Sequence, residues 1–280
     1  MKKSIALISF LAIAGSLAAQ TSNMSCCAAS ATEAYAMNAS DKNFTSKHDE
    51  PLPFSYSSEN GKDISYTTAD GKTAHAWEVK SAKPTKYYLF VIHEWWGLND
   101  YIKQEAEKLG KDLGVNVIAL DLYDNVVTTT REEAAKAMQS VTTDRATAII
   151  NGAYAYAGGS AKVFTIGWCF GGGWSLQASL LGGKQAVGCI MYYGQPEKDI
   201  ERLKTLQPDV LGFFGNLDQY PSPQIVTEFA DNMNKAGKKL LLNRYEATHA
   251  FANPSNPNFN KEATEDAYKK VLAFVKERIK

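Results

Sequence analysis

The side chains that carry the most chemistry stand just behind apolar runs. Cys169 lies in Gly167-Trp168-Cys169-Phe170-Gly171, between the apolar stretch 162–166 and a small-residue stretch at 172–176. A strand that turns abruptly into a helix strains the residue at its apex, and glycines two positions to either side give that residue room. The thiol then stands clear of the sheet at a helix N-terminus, where the helix dipole favours the thiolate, the attacking form of sulfur. Asp218 follows Phe213-Phe214 within Gly215-Asn216-Leu217-Asp218, and His249 follows Arg244-Tyr245 within Glu246-Ala247-Thr248-His249. Nucleophile, acid and imidazole in that order suit acyl transfer: sulfur attacks a carbonyl, imidazole moves the protons, and carboxylate fixes the tautomer of the ring. A fourth block, His93-Glu94-Trp95-Trp96-Gly97, places Glu94 behind another apolar run.

Each of these residues has a plainer role open to it. A cysteine between glycines also packs a tight joint, and G-x-C-x-G alone arises easily by chance. Asp218, ahead of Gln219-Tyr220-Pro221, also suits a turn or a helix cap, and His249 a capping or surface position. The ordered trio at three separate strand ends carries the argument. His93 continues a strand and reads as a structural hydrogen-bonder, while His48 and His75, in a tail and a hairpin, read as solvated. The pair His93-Glu94 lacks the second histidine of a zinc helix, so no metal is expected.

Strand ends imply strands to end. Apolar runs at 87–93, 115–120, 163–167, 187–193, 210–215 and 240–245 alternate with helical stretches at 100–113, 131–157, 172–181, 223–236 and 261–279. That alternation demands an α/β fold with a mostly parallel central sheet, flanked by helices on both faces and crossed over with one hand. Ahead of it, 62–68 and 73–80, parted by Ala69-Asp70-Gly71-Lys72, read as an N-terminal antiparallel hairpin. Ligands of such sheets gather at the carboxyl ends of the strands, where the four blocks above fall.

No linker or repeat interrupts 53–280, which reads as one domain. Residues 20–52, rich in Ser, Ala, Thr and Asn without sustained period, read as a flexible tail. Residues 1–19 read as a secretory signal, with Lys2 and Lys3, an apolar run and then Ser16-Leu17-Ala18-Ala19. An exported chain, periplasmic or extracellular, is expected, with no membrane span once that short segment is removed. Of 280 residues, 45% are hydrophobic and 21% charged, the balance of a globular protein. Its 30 basic and 30 acidic residues become 28 and 30 when Lys2 and Lys3 leave, a formal −2 that invites no nucleic acid. Cys26 and Cys27 sit in the tail and Cys189 inside an apolar run, where a buried core thiol is expected. With no C-x-x-C, a dithiol oxidoreductase is disfavoured.

Together, His93-Glu94-Trp95-Trp96-Gly97, Gly167-Trp168-Cys169-Phe170-Gly171-Gly172, Gly215-Asn216-Leu217-Asp218 and Tyr245-Glu246-Ala247-Thr248-His249-Ala250-Phe251 resemble the dienelactone hydrolase family over 63–280. The resemblance implies an α/β-hydrolase fold with a Cys169, His249, Asp218 triad acting on a small-molecule ester or lactone, with neither metal nor organic cofactor. It matches Glu94 to a glutamate that helps ionise the thiol when substrate binds. The family's carboxylate-binding arginine falls on Asn253, and Arg131 is the nearest candidate for a second one. The backbone N–H groups of Phe170 and Trp95 are the candidate oxyanion donors. Trp96, Trp168 and Phe251 are the aromatic residues expected to wall a pocket for an apolar acyl group, with Asn253 and Arg131 as further substrate contacts. An unpaired Glu94 would disfavour a neighbouring thiolate, or it would only brace its loop through the Asn253 amide. Two other readings stay open: a general carboxylesterase for carbohydrate or xenobiotic esters, and a silent binding protein with a modifiable thiol.

Overall fold

The structure, a computed structural model, describes residues 30–279. The signal expected at 1–19, and Cys26 and Cys27, lie outside the described residues. In chain order the elements are α1 (Ala31–Ala36), a 3-10 turn (Met37–Ser40), α2 (Lys42–Thr45), β1 (Gly61–Thr67), β2 (Thr73–Val79), β3 (Tyr87–Ile92), α3 (Asp100–Leu113) and β4 (Asn116–Leu120). They continue as α4 (Arg131–Ser140), α5 (Thr143–Ala157), β5 (Lys162–Trp168), α6 (Phe170–Leu181), a 3-10 turn (Gly183–Gln185), β6 (Ala186–Tyr192), α7 (Ile200–Thr205), β7 (Val210–Gly215), α8 (Pro223–Lys235), β8 (Leu240–Tyr245) and α9 (Lys261–Lys276).

The eight strands form one sheet in the order β1-β2-β4-β3-β5-β6-β7-β8. The β1–β2 hairpin is antiparallel and joins β4 antiparallel, whereas β4, β3, β5, β6, β7 and β8 run parallel. The central strands carry nearly unbroken apolar sequence because packing covers both of their faces; every residue of β4 and β7 is buried. One core spreads over most of the sheet. A second gathers Leu176, Met191, Leu203, Val226 and Phe229, where α6, α7 and α8 meet β6 and β7. Cys189 is a free, buried thiol in that second core, as its apolar run implies.

The helices begin and end where local chemistry supplies partners. Asn99 caps α3 by accepting the N–H of Ile102, and Gly114 ends it in the left-handed conformation (φ 68°) that glycine adopts without penalty. The single helix expected over 131–157 is two. Val141 turns extended (ψ 111°), and the Thr142 side chain caps α5 by accepting the N–H of Arg145.

The larger departure lies in 20–52. From Ser30 onward this stretch is structured. Ser30 and Glu33 form a reciprocal capping box at α1, and Asp41 caps α2 through the N–H of Asn43. Tyr35, Phe44 and His48 are buried against the carboxyl edge of the sheet, and that burial offsets the entropy of ordering a polar segment. Among the described residues, no helix is long and apolar enough to cross a membrane.

Candidate active site

The β5–α6 turn lifts Cys169 into φ 53°, ψ −118°, an unusual conformation for a residue with a side chain. The turn is held by the Cys169 N–H donating to the Tyr192 carbonyl at 3.0 Å, and by the Cys169 carbonyl accepting from Gly172 at 3.0 Å. Its glycines are required for space. A Cβ at Gly167 would lie 2.1 Å from the Gly171 carbonyl oxygen, and one at Gly171 only 2.3 Å from that of Ile92. Phe170 opens α6, so its N–H has no intrahelical partner.

The loops after β7 and β8 bring the acid and the imidazole together. One Asp218 oxygen accepts the Tyr220 N–H at 2.8 Å, and the other accepts Nδ1–H of His249 at 2.8 Å. In the neutral ring that bond fixes the tautomer and leaves Nε2 as the lone pair. Nε2 is buried and meets no hydrogen-bond partner. Burial by itself would lower the basicity of His249, but the Asp218 carboxylate and the Cys169 sulfur outweigh it and raise the imidazolium pKa well above its ordinary value. The available ligand atoms of Cys169, His249 and His48 all lie within 4.8 Å of one another.

His48 was expected in solvent. It is 5% exposed, and its Nε2 sits 3.6 Å from Cys169 Sγ, because the turn after α2, closed by the His48 N–H on the Thr45 carbonyl, carries it inward. Its ring stacks on Trp95 with centroids 4.6 Å apart and meets His249 edge-on at 5.4 Å. Its Nδ1 is bonded to the Phe44 carbonyl at 3.0 Å, and desolvation, with His249 nearby, drives its pKa down to about 3. Tyr35 closes the same side, its hydroxyl 3.3 Å from Cys169 Sγ. The thiol is left only 1% exposed. Neither Tyr35 nor His48 follows an apolar run, so strand-end logic passes over both. The signals available were Ser30-Ala31-Thr32-Glu33 as a capping box and the i, i+4 spacing of Phe44 and His48.

Glu94 lines the adjoining cavity, which neither Tyr35 nor His48 reaches. Asn253 Nδ2 donates to its Oε1 at 2.7 Å, the brace that the missing arginine leaves open. Burial first, and the neighbouring Cys169 second, push its pKa up to about 8. His93 is a structural residue: Nδ1–H donates to the Glu94 carbonyl at 2.8 Å, and Nε2 accepts the Leu122 N–H at 3.1 Å. His75 is half-buried beside Asp121 in a small polar recess.

A cavity of about 360 Å³ opens beside this centre, walled by Glu94, Trp168, Tyr192, Tyr193, Asn253 and Tyr268 among others. Its inner wall is made of neighbours of the sulfur: Trp168 precedes Cys169 in the chain, and the Tyr193 ring lies 5.1 Å from that of His249. Of the expected substrate contacts, Trp168 and Asn253 line this cavity. Trp96 is buried away from it, with its carbonyl bonded to Thr128. Phe251 is fully buried, packed against Tyr193 and Tyr245, and belongs to the core. Arg131 does not reach the cavity either; Nε donates to the His48 carbonyl at 2.6 Å and Nη2 to Asp49 at 2.8 Å. It holds down the N-terminal segment.

A mostly parallel eight-stranded sheet with its thiol on a sharp strand-to-helix turn defines the α/β-hydrolase class. Within it, the chain belongs to the dienelactone hydrolase family, whose profile matches residues 75–279. A Saccharolobus solfataricus protein provisionally assigned as a carboxymethylenebutenolidase is 26% identical over 257 residues, 77% of this chain and 98% of that one. The carboxymethylenebutenolidase of a Pseudomonas species is 31% identical over 115 residues, 41% of this chain and 47% of its own. Among solved structures, a dienelactone hydrolase-like promiscuous phosphotriesterase from metagenomic libraries superposes with a TM-score of 0.68 at 18% identity, covering 79% of this chain and all of its own. That likeness speaks to the fold. The protein is thus a hydrolase of the dienelactone hydrolase type.

Proposed function

We propose that the protein is an exported cysteine hydrolase that cleaves a carboxylic ester or lactone through a thioester. The observation that carries this reading is the unpartnered Nε2 of His249, buried within 4.8 Å of the Cys169 sulfur and backed by Asp218. Cys169 passes its thiol proton to His249 Nε2, and Sγ attacks the carbonyl carbon and forms the sulfur–carbon bond. The C–O bond to the leaving alkoxide breaks, and the alkoxide takes its proton from His249. Water then attacks the thioester, His249 accepts the proton of that water, and the acid leaves as the thiol is restored. The N–H groups of Phe170 and Trp95 serve the tetrahedral oxyanions; one such donor is commonly worth roughly a hundredfold or more in rate.

The cavity beside Glu94 and Trp168 supports an apolar or aromatic acyl group, since its lining includes Trp168, Tyr192 and Tyr193. Asn253 carries no charge, and the two cations in the cavity lining, Lys108 and Lys269, are matched there by Glu105 and Glu265, which argues against a requirement for an anionic substrate. Because the thiol itself is sealed, acylation requires the Glu94 wall or the 30–48 segment to yield.

The test is a panel of chromogenic esters and lactones with wild type and Cys169→Ala, with intact mass used to look for an acyl adduct. A burst of product with a matching mass gain, absent from Cys169→Ala, is expected. Turnover without dependence on Cys169 would reject the thiol mechanism. Export rests on the 1–19 segment and is tested by sequencing the N-terminus of the protein recovered outside the cytoplasm.

A further inference from the structure

We propose that Cys169, His249 and His48 also form a binding site for a thiophilic divalent cation of the zinc class, and that metal in this site silences the hydrolase. The proposal rests on the reading of Cys169 and His249 given above and adds a ligand and a regulation to that centre.

Both imidazoles are set up as ligands. Each uses Nδ1–H to hold a fixed acceptor, the Phe44 carbonyl for His48 and the Asp218 carboxylate for His249. Each therefore presents Nε2 to a metal, that of His249 once the proton it shares with Cys169 has left. Metal-bound histidines are ordinarily held this way, by a carbonyl or carboxylate on the far nitrogen. His249 Nε2 has no partner although it is buried, and it is aimed into the cluster. His48 Nε2 lies 3.6 Å from Cys169 Sγ. In a tetrahedral zinc site, bonds of about 2.3 Å to sulfur and about 2.0 Å to nitrogen put such a pair roughly 3.5 Å apart. The 4.8 Å bound on all three atoms asks the remaining edges to contract by about 1.5 Å at most.

The donor set selects the cation. One thiolate and two imidazoles favour zinc-like ions over magnesium or calcium, which take oxygen. Binding exchanges one proton: the Cys169–His249 pair gives it to the buffer, whichever of the two holds it, and sulfur coordinates as thiolate. The Tyr35 hydroxyl, 3.3 Å from the sulfur, then donates to the coordinated thiolate. Metal bound there occupies both the sulfur lone pair and the His249 base. It also ties the 30–48 segment, through His48, to the site it covers.

The test uses the full mature chain carrying Cys26→Ser and Cys27→Ser, so that the tail thiols do not bind metal, after treatment with a chelator. Titration with Co²⁺ should give a thiolate-to-cobalt charge-transfer band saturating at one equivalent, with one proton released, and Zn²⁺ should displace it. Cys169→Ser should abolish the band, and His48→Gln should weaken binding at least tenfold. X-ray absorption at the zinc edge of the otherwise wild-type protein, which requires no site variant to fold, should report one sulfur and two imidazole nitrogens. An oxygen-only shell, no charge-transfer band, or equal affinity in a folded His48→Gln variant would each overturn the proposal. Ester turnover of the metal-free protein is measured in parallel. Turnover through Cys169 with no metal binding sinks this site alone, and metal binding with no Cys169-dependent turnover sinks the hydrolase reading alone.

Discussion

Two regions converge on one sulfur, and they are built differently. The loops after β5, β7 and β8 are placed by parallel strands in fixed register, so Cys169, Asp218 and His249 must meet wherever that sheet forms. The segment 30–48 contributes no strand. It reaches the same thiol through Tyr35 and His48, both packed on the Phe44 ring, and is held by Arg131 and by the Tyr220–Asp41 hydrogen bond at 2.9 Å. The strand-end region is thus bound to the global stability of the fold, whereas the segment joins the same core through Tyr35, Ala39 and Phe44 with no strand pairing of its own, so it should open at a lower free energy than the sheet. That contrast separates chemistry from access, and substitutions in each region test it.

The largest effects belong to the strand ends. Cys169→Ala should lose the acyl adduct and at least about three orders of magnitude in ester turnover, with folding retained. Asp218→Asn should cost on the order of 10⁴ in kcat, because an amide opposite Nδ1 permits the wrong tautomer. Turnover by either variant near the wild-type rate would show that the register-placed trio is not the reacting set.

Next comes access. Phe44 is fully buried among Tyr35, Trp95 and Tyr220, with ring centroids 5.5, 5.6 and 5.2 Å away. Removing a buried phenyl costs about 3–5 kcal/mol where a site cannot collapse. In Phe44→Ala, with the loss borne mostly by the segment, the alkylation rate of Cys169 should rise by about 10²-fold in chelator-treated protein, with a small change in Tm. A large fall in Tm with no gain in alkylation would mean that the segment is part of the core and not a cover.

The same contrast explains what the sequence discloses. The strands, the hairpin and the three residues behind Gly167, Gly215 and Tyr245 are legible because buried parallel strands need unbroken apolar runs and their loops fall at one edge. Residues 30–48 are not legible in that way. Their apolar anchors are few and without sustained period, and what orders them is a surface that exists only once the sheet has formed. Arg131 shows a related limit: family likeness suggested a substrate contact, yet its guanidinium is spent on His48 and Asp49. Phe251 lies beside His249 in sequence, but its ring points into the Tyr193 and Tyr245 packing.

Arg131→Ala should act on the segment more weakly than Phe44→Ala. Its ion pair with Asp49 is about 40% exposed on both sides, so the bond to the His48 carbonyl carries most of the effect. At about 1 kcal/mol for that bond, Cys169 alkylation should rise roughly fivefold. An effect on KM for esters without faster alkylation would return Arg131 to the substrate.

Glu94→Gln should do least at neutral pH. With its pKa at about 8, the carboxyl is mostly protonated at pH 7, where glutamine matches it in shape and charge, so turnover should change by no more than about threefold. The difference grows with pH. Above 8 the wild-type carboxylate opposes a neighbouring thiolate, and alkylation of the variant should then outpace wild type. Stability carries the same signature with a definite sign. The folded pKa of about 8 lies above the ordinary 4.5, so the native state holds a proton that the unfolded chain releases between those values. Wild type should therefore lose stability relative to Glu94→Gln as pH rises from about 4.5 to 8, and the gap should level off above that. Tm measured for both proteins from pH 5 to 9 reads it directly, and parallel curves would mean that Glu94 ionises as an ordinary, solvated acid.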